Sequence, residues 1–286
     1  MKINKLVVLD KNDFNPKQRE ELKKLANVVV IFDDLPKNDG EAIKRIGDSD
    51  AVIVCWYSIN KNILESCPNI KYLGIVATGY EWCDVDYAVQ KGLIATNVPA
   101  YATEAVSNYI FKQLERFDTK DKTLGIVGLG NIGTEVARLG SNKKMRVLYW
   151  DRFNKKSKFN FAELDELFSK ANIISLHLKL NSETEKIIKN KYLDMLKKDS
   201  LIVDTVSPNL FEDINHLIET AKAKNLHLIL DFDEDQKLAP LSKLDANIIY
   251  TPHIAWKSEK SIFNLHQIAL ENIESYIKGK IKNQIK

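Results

Sequence analysis

The sequence predicts an α/β chain of two doubly wound lobes, one inserted into the other, and three observations predict it. Short apolar runs alternate with amphipathic segments from end to end, a glycine-rich turn joins one run to a helix near the middle, and a last amphipathic segment follows the second series of runs. The first series, Lys5 to Leu9, Val28 to Phe32, Ala51 to Val54, Tyr72 to Val76 and Leu93 to Thr96, makes one parallel layer. The second begins with Thr123 to Val127 and Met145 to Trp150 and continues through Ile173 to Leu176, Leu201 to Asp204, Leu228 to Asp231 and Ile248 to Tyr250. In the closing segment, Glu259 to Lys280, Ile262, Leu265, Ala269, Ile273 and Ile277 recur at helical spacing, so this helix is expected to pack back on the first lobe. Residues 1–102 and 257–286 then form one domain and 103–256 the other, with a cleft expected between them.

Composition sets the class. With 286 residues, 44% hydrophobic and 28% charged, the chain is long for one core and ordinary for a globular protein of two. Its formal charge of +3 comes from scattered lysines such as Lys186, Lys189, Lys191, Lys197 and Lys198, with acids between them. That pattern reads as a solvated surface and argues against nucleic-acid binding. Cys55, Cys67 and Cys83 stand in unrelated contexts without metal-ligand spacing, so buried thiols in a reduced compartment are expected, and no metal. No apolar run approaches the length of a membrane span, and the expectation is a cytoplasmic protein.

The run Gly125-Ile126-Val127-Gly128-Leu129-Gly130-Asn131-Ile132-Gly133, followed by Tyr149-Trp150-Asp151, couples a strand, a glycine turn, a helix start and an acid at the spacing of a dinucleotide site. Gly128 permits the tight turn, Gly130 lets the backbone approach a pyrophosphate, and Gly133 lets the helix lie close to the sheet. A helix is expected over Thr134 to Leu139. Asp151, ending the next strand, would accept hydrogen bonds from the ribose hydroxyls and repel a 2′-phosphate, which favours NAD over NADP. Arg152 beside it blurs that preference.

Further segments give the chain a family resemblance. Val76-Ala77-Thr78-Gly79-Tyr80 and Thr96-Asn97-Val98-Pro99-Ala100-Tyr101-Ala102-Thr103-Glu104-Ala105-Val106, then Ser175-Leu176-His177-Leu178, Asn181-Ser182-Glu183-Thr184 and Tyr250-Thr251-Pro252-His253-Ile254-Ala255-Trp256, resemble the D-isomer-specific 2-hydroxyacid dehydrogenases, nearest their glycerate dehydrogenase or hydroxypyruvate reductase branch. The resemblance implies a flavodoxin-like substrate domain carrying an inserted Rossmann domain, NAD as cofactor, and reversible hydride transfer between NADH and a small 2-oxo acid or related carbonyl compound. It implies cofactor contacts at Gly128, Gly130, Asn131, Ile132, Gly133, Asp151, Thr205, Ser207, Asp231, His253 and Ala255. Substrate contacts fall at Tyr57, Ser58, Thr78 and Gly79, with Trp56 and Tyr80 as further aromatic candidates.

His253 is the candidate catalytic residue. A carbonyl carbon that accepts hydride needs a proton at its oxygen, and an imidazole can give that proton and take it back. His177, His216, His227 and His266 fall in expected strands or helices and read as structural or exposed.

Three departures from the family pattern stand out. The family's arginine, which grips the substrate carboxylate and carbonyl, aligns on Ser207, with Pro208 where glycine is expected. Serine has no charge and cannot make a planar two-point clamp. Losing a donor aimed at a developing oxyanion typically costs about a hundredfold to a thousandfold in rate. Lys237 and Lys257 are candidate replacement cations. The family's glutamate, partner to the histidine, aligns on Gln236, while Asp233, Glu234 and Asp235 read as a solvated acidic loop from which Glu234 or Asp235 could supply the carboxylate. Finally, only Phe111 to Thr123 stand where the family inserts a long arm that embraces a second subunit, which counts against a homodimer of the family type. An NAD-dependent oxidoreductase with a non-standard active site is the leading reading. A catalytically impaired NAD-binding protein with a sensing or binding role stays open, and the glycine motif argues against a purely structural interaction protein.

Overall fold

The computed structural model describes residues 2–153, 156–232 and 247–286, and the chain divides into two compact units, Met1–Tyr101 with Ser258–Lys286, and Ala102–Lys257. In the first unit β1 (Ile3–Val8), α1 (Pro16–Leu22), β2 (Ala26–Ile31), α2 (Asp39–Ile46), β3 (Ala51–Val54), α3 (Lys61–Ser66), β4 (Tyr72–Ile75), α4 (Val85–Gln90) and β5 (Ile94–Thr96) alternate in order. The strands form a parallel sheet in the order β2-β1-β3-β4-β5. β3 (Ala-Val-Ile-Val) and β4 (Tyr-Leu-Gly-Ile) are buried at every residue, as a parallel sheet covered on both faces requires. Helix ends are set locally: Asn15 makes a capping box with Gln18 ahead of Pro16, and Asn38 and Asn60 cap α2 and α3.

The second unit runs α5 (Thr103–Leu114), β6 (Thr123–Val127), α6 (Asn131–Asn142), β7 (Arg146–Trp150), β8 (Asn160–Phe161), α7 (Leu164–Lys170), β9 (Ile173–Leu176), α8 (Asn190–Asp194), β10 (Leu201–Asp204), a 3-10 turn (Pro208–Leu210), α9 (Ile214–Lys224), β11 (His227–Asp231) and β12 (Ile248–Thr251). Its sheet is parallel in the order β12-β11-β10-β9-β6-β7-β8, so the order reverses between β6 and β9. All the carboxyl ends therefore emerge along one edge, where open α/β sheets bind their ligands. The chain then returns to the first unit as α10 (Glu259–Ile277), opened by a Ser258–Ser261 capping box. Leu265, Ala269, Leu270, Ile273 and Tyr276 of α10 join Ile3, Leu6, Val8, Ile53 and Tyr72 in one apolar cluster.

Two differences from the sequence reading have simple causes. β8 was not expected, because a two-residue edge strand, Asn160–Phe161, carries too little pattern to register. α6 extends well past the expected Thr134 to Leu139: Gly140 interrupts the apolar period yet lies buried on the helix, where a Cβ would stand 2.5 Å from Leu124 Cδ2.

At the end of β1 a buried carboxylate fixes a neighbouring loop. Asp10 Oδ1 accepts from the amide of Cys55 at 2.9 Å, and Oδ2 from those of Trp56 at 2.8 Å and Tyr57 at 2.5 Å. Burial raises the carboxyl above its ordinary range, opposed by these amide donors. Removing the acceptor strands three donors, so Asp10→Ala is expected to lower stability by about 2–4 kcal/mol, read from urea unfolding. An unchanged unfolding midpoint would show that the loop holds itself.

Candidate active site

The glycine turn between β6 and α6 is shaped by backbone contacts that exclude side chains. Gly128 has φ 98°, and a Cβ there would stand 2.8 Å from both the carbonyl carbon and the oxygen of His177. At Gly133 a Cβ would meet the Gly128 carbonyl oxygen at 2.0 Å, so only glycine lets α6 begin this close to β6. Gly130 differs, since a Cβ there would find no heavy atom within 4 Å. It is also the N-cap of α6 and makes no side-chain cap, while Asn131 and Ile132 form the first turn behind it. Open space above helix amides that carry no side-chain cap fits the pyrophosphate of a dinucleotide.

Asp151, 9% exposed, follows β7 and ties the turn to its neighbour. Its Oδ2 accepts from the Leu129 amide at 2.8 Å and its Oδ1 from the Phe153 amide at 3.3 Å. Arg152 forms an ion pair with Glu183.

His253 sits in the loop after β12, exposed, with φ 48° in the left-handed region. Asp231, at the end of β11 and 1% exposed, holds that loop. Its Oδ1 accepts from the Thr251 hydroxyl at 2.6 Å and the Ile254 amide at 2.8 Å, and its Oδ2 from the Ala255 amide at 2.8 Å. The His253 amide donates to the Thr251 carbonyl at 3.0 Å, closing a tight turn through Pro252. Asp231 and Ala255, both expected at the cofactor, thus shape the histidine's backbone.

The remaining histidines have other surroundings. His177 shares a 2.8 Å hydrogen bond with Ser175 through Nε2, and burial pushes its imidazole down to about 3, so it stays neutral near pH 7. His266 accepts from the Asp13 amide, His216 pairs with Asp194, and His227 meets the edge of Phe117. Of the five, His253 combines exposure with a place on the ligand-binding edge of the sheet.

Thr205, half-buried, follows β10 and leads to Ser207, which is 2% exposed. The Ser207 hydroxyl accepts from the Asn209 amide at 3.2 Å and caps the 3-10 turn begun by Pro208. Ser207, where the resemblance expects arginine, is therefore a capping residue, and Pro208 supplies the first residue of the turn it caps. Asp204 underlies both: it is fully buried, its Oδ1 accepts from the amides of Val206 and Ser207, and its Oδ2 has no hydrogen-bond partner. Burial pushes this carboxyl up to about 8. Gln236, with Asp233, Glu234, Asp235 and Lys237, lies outside the described residues. Lys257 is exposed, its ammonium 5.5 Å from the centre of the Trp256 ring.

In the first unit the expected substrate loops are pinned by their own hydrogen bonds. Tyr57 donates its hydroxyl to Asp39 at 2.8 Å, and burial raises that phenol to about 12. Ser58 donates to the Trp82 carbonyl, Thr78 to the Val98 carbonyl at 2.8 Å, and the Gly79 carbonyl accepts from the Trp82 indole at 3.2 Å. The side chains of Tyr57, Ser58 and Thr78 thus brace the loops. Trp56, 56% exposed, stands out at the tip. Asp10, Asp204 and Thr251 escaped the sequence reading, although Asp10 and Asp204 each end an apolar run, as Asp151 and Asp231 do.

This fold and edge define a dinucleotide-dependent α/β oxidoreductase. The NAD-binding domain of the D-isomer-specific 2-hydroxyacid dehydrogenases matches residues 94–255, and the chain belongs to that family as an NAD-dependent oxidoreductase. Among curated relatives, hydroxypyruvate reductase of Blautia hydrogenotrophica is 28% identical, the match covering 98% of this chain and 99% of that protein. Glyoxylate reductase of Thermofilum pendens is 26% identical over 91% and 88%. Among solved structures, an acyclic imino acid reductase in complex with NADPH and D-Arg superposes with a TM-score of 0.88 at 29% identity, covering 99% of this chain and all of that one. These relatives are named for catalysis and lend no support to the non-catalytic reading. Among the described residues no group of His, Cys, Asp and Glu could hold a metal ion, and no helix is long and apolar enough to cross a membrane.

The buried Asp204 makes stability depend on pH. Its carboxyl ionises near 3.8 when unfolded and near 8 when folded, so the folded state binds the extra proton and stability falls as pH rises from about 4 to about 8. Asp204→Asn keeps the acceptor for Val206 and Ser207 without the charge. The variant is expected to match the wild type near pH 4 and exceed it by up to about 4 kcal/mol near pH 7, read from denaturation across pH. A constant difference across that range would contradict the buried-acid account.

Proposed function

We propose that this protein reduces the carbonyl of a small 2-oxo acid or related compound at the expense of NADH, and runs the reverse oxidation, with His253 as acid and base. The observation that carries this reading is the common edge: the Gly128–Gly133 turn, Asp151 and the 251–255 loop all lie at the carboxyl ends of strands of one parallel sheet. The cofactor would rest on Gly128, Gly130, Asn131, Ile132 and Gly133, with Asp151 at the ribose and Thr205, Ser207, Asp231, His253 and Ala255 along the rest of the edge. Bound NADH supplies the hydride. His253 supplies the proton to the carbonyl oxygen and removes it in the reverse direction. Because Ser207 Oγ serves as a cap, its hydroxyl is a poor stand-in for a charged clamp, and the backbone amides around Thr78 and Gly79, with Tyr57 and Ser58 holding the adjoining loop, are the better candidates for substrate contact.

A panel tests the substrate class: hydroxypyruvate, glyoxylate, carbonyl compounds without a carboxylate, and a 2-oxo acid mixed with an amine, since one solved relative is an imino acid reductase. Turnover of one member should fall about a hundredfold to ten-thousandfold in His253→Ala, with NADH affinity retained. Wild-type turnover in that variant would remove His253 from the chemistry. Preference for NADH over NADPH is assigned to Asp151, so Asp151→Ser is expected to narrow the ratio of the two dissociation constants, measured by fluorescence titration. Equal affinity for both cofactors in the wild type would refute that assignment.

A further inference from the structure

The loop that carries His253 is held by a longer chain of hydrogen bonds than the strand end alone supplies. Tyr109, half-buried in the middle of α5 and 142 residues away in sequence, places its hydroxyl 2.5 Å from Thr251 Oγ1. Direction follows from counting protons. Thr251 Oγ1 donates its one proton to Asp231 Oδ1, so between the two hydroxyls it can only accept, and Tyr109 is the donor. Asp231 Oδ1 then receives Thr251 and the Ile254 amide, while Oδ2 receives the Ala255 amide. The line runs from a helix, through a hydroxyl at the end of β12, to a buried carboxylate at the end of β11, and on to the two amides that follow His253.

We infer that Tyr109 is a positioning residue for His253, acting through Thr251 and Asp231 to hold the 251–255 turn in the shape that presents the imidazole. This rests on the proposed role of His253. Its physical basis is the left-handed backbone of His253, a conformation that L-residues keep only where their surroundings over-determine it. Asp231 holds the residues after His253, and Thr251 and Pro252 precede it. A Thr251 hydroxyl free to rotate among its rotamers would release Asp231 Oδ1 part of the time. A phenol donating to it holds it in the donating orientation, and hydrogen bonds in such a chain polarise one another. Tyr109 touches neither His253 nor the glycine turn in any described hydrogen bond, so it contributes through geometry rather than through proton transfer.

Two readouts on the full chain separate this role from simple packing. The first is amide hydrogen exchange of Ile254 and Ala255 without cofactor, which does not depend on turnover. The second is steady-state oxidation of NADH with hydroxypyruvate. Tyr109→Phe keeps the ring and deletes the donor. It is expected to speed exchange at both amides severalfold, and to lower kcat by about three- to tenfold with KM and NADH affinity unchanged. Thr251→Val should do the same, the double variant should be little worse than either single one, and Thr251→Ser should retain more of both properties than Thr251→Val. Should Tyr109→Phe fail to fold, the Thr251→Val and Thr251→Ser pair reads the same relay from its middle. Wild-type exchange at Ile254 and Ala255 in the folded variants, or kcat losses that simply multiply in the double variant, would overturn the inference. If hydroxypyruvate is not turned over, the panel member that is turned over takes its place; if none is, or His253→Ala turns it over normally, the functional reading fails while the exchange measurement still decides whether Tyr109 holds the loop.

Discussion

Buried carboxylates at the ends of parallel strands are the constraint on which the functional edge depends. Asp10 after β1, Asp151 after β7 and Asp231 at the end of β11 each accept amides from the loop that follows the neighbouring strand: 55–57 after β3, Leu129 after β6, and 254–255 after β12. A loop leaving a parallel sheet carries amides with no ladder partner, and one carboxylate can satisfy two or three of them at once. The same device therefore shapes the expected substrate loop, the glycine turn and the histidine loop. Asp204 is the exception: it accepts only from its own loop, and its other oxygen has no partner. Complete burial, opposed by only those two amides, pushes its carboxyl up to about 8.

The glycine turn adds a steric constraint to this electrostatic one. Gly128 and Gly133 face backbone, where no side chain could give way, whereas Gly130 faces open space. The first pair holds α6 against β6, and the third leaves room for a ligand at the helix start. Asp151 links the two effects, since the carboxylate assigned to the ribose also fixes Leu129 inside the turn. The cofactor preference proposed for Asp151 and the shape of the turn are then coupled at one residue.

The residues at the position where the resemblance expects arginine also have a structural role. Ser207 and Pro208 act together, the one capping the 3-10 turn that the other begins, with Asp204 beneath them. The pair forms a locally consistent capped turn. Under the proposed function, recognition of substrate falls to groups elsewhere, among which backbone amides are the natural candidates because their donors survive any change of side chain.

Much of the fold was legible in the sequence because buried parallel strands read as short, unbroken apolar runs, and β3, β6, β9 and β10 begin and end where those runs do. The dinucleotide turn was legible for a similar reason, since its three glycines answer to contacts within a few residues or with the adjoining strand. β8 was not, being too short to show a period, nor was the length of α6, whose Gly140 is a packing residue rather than a stop. Within the site, His253 could be named from its own segment. Its partners could not: Tyr109 lies 142 residues from Thr251, and Asp231 meets Ile254 and Ala255 only because β11 and β12 are paired in register. The sequence by itself thus determined the two-lobed α/β class, the cofactor turn and the candidate histidine, because each rests on local periodicity or local sterics. Tertiary structure alone decided which carboxylate holds which loop, that Ser207 is a cap, and that a helix tyrosine reaches the histidine loop, because strand order brings together donors and acceptors that no local pattern relates.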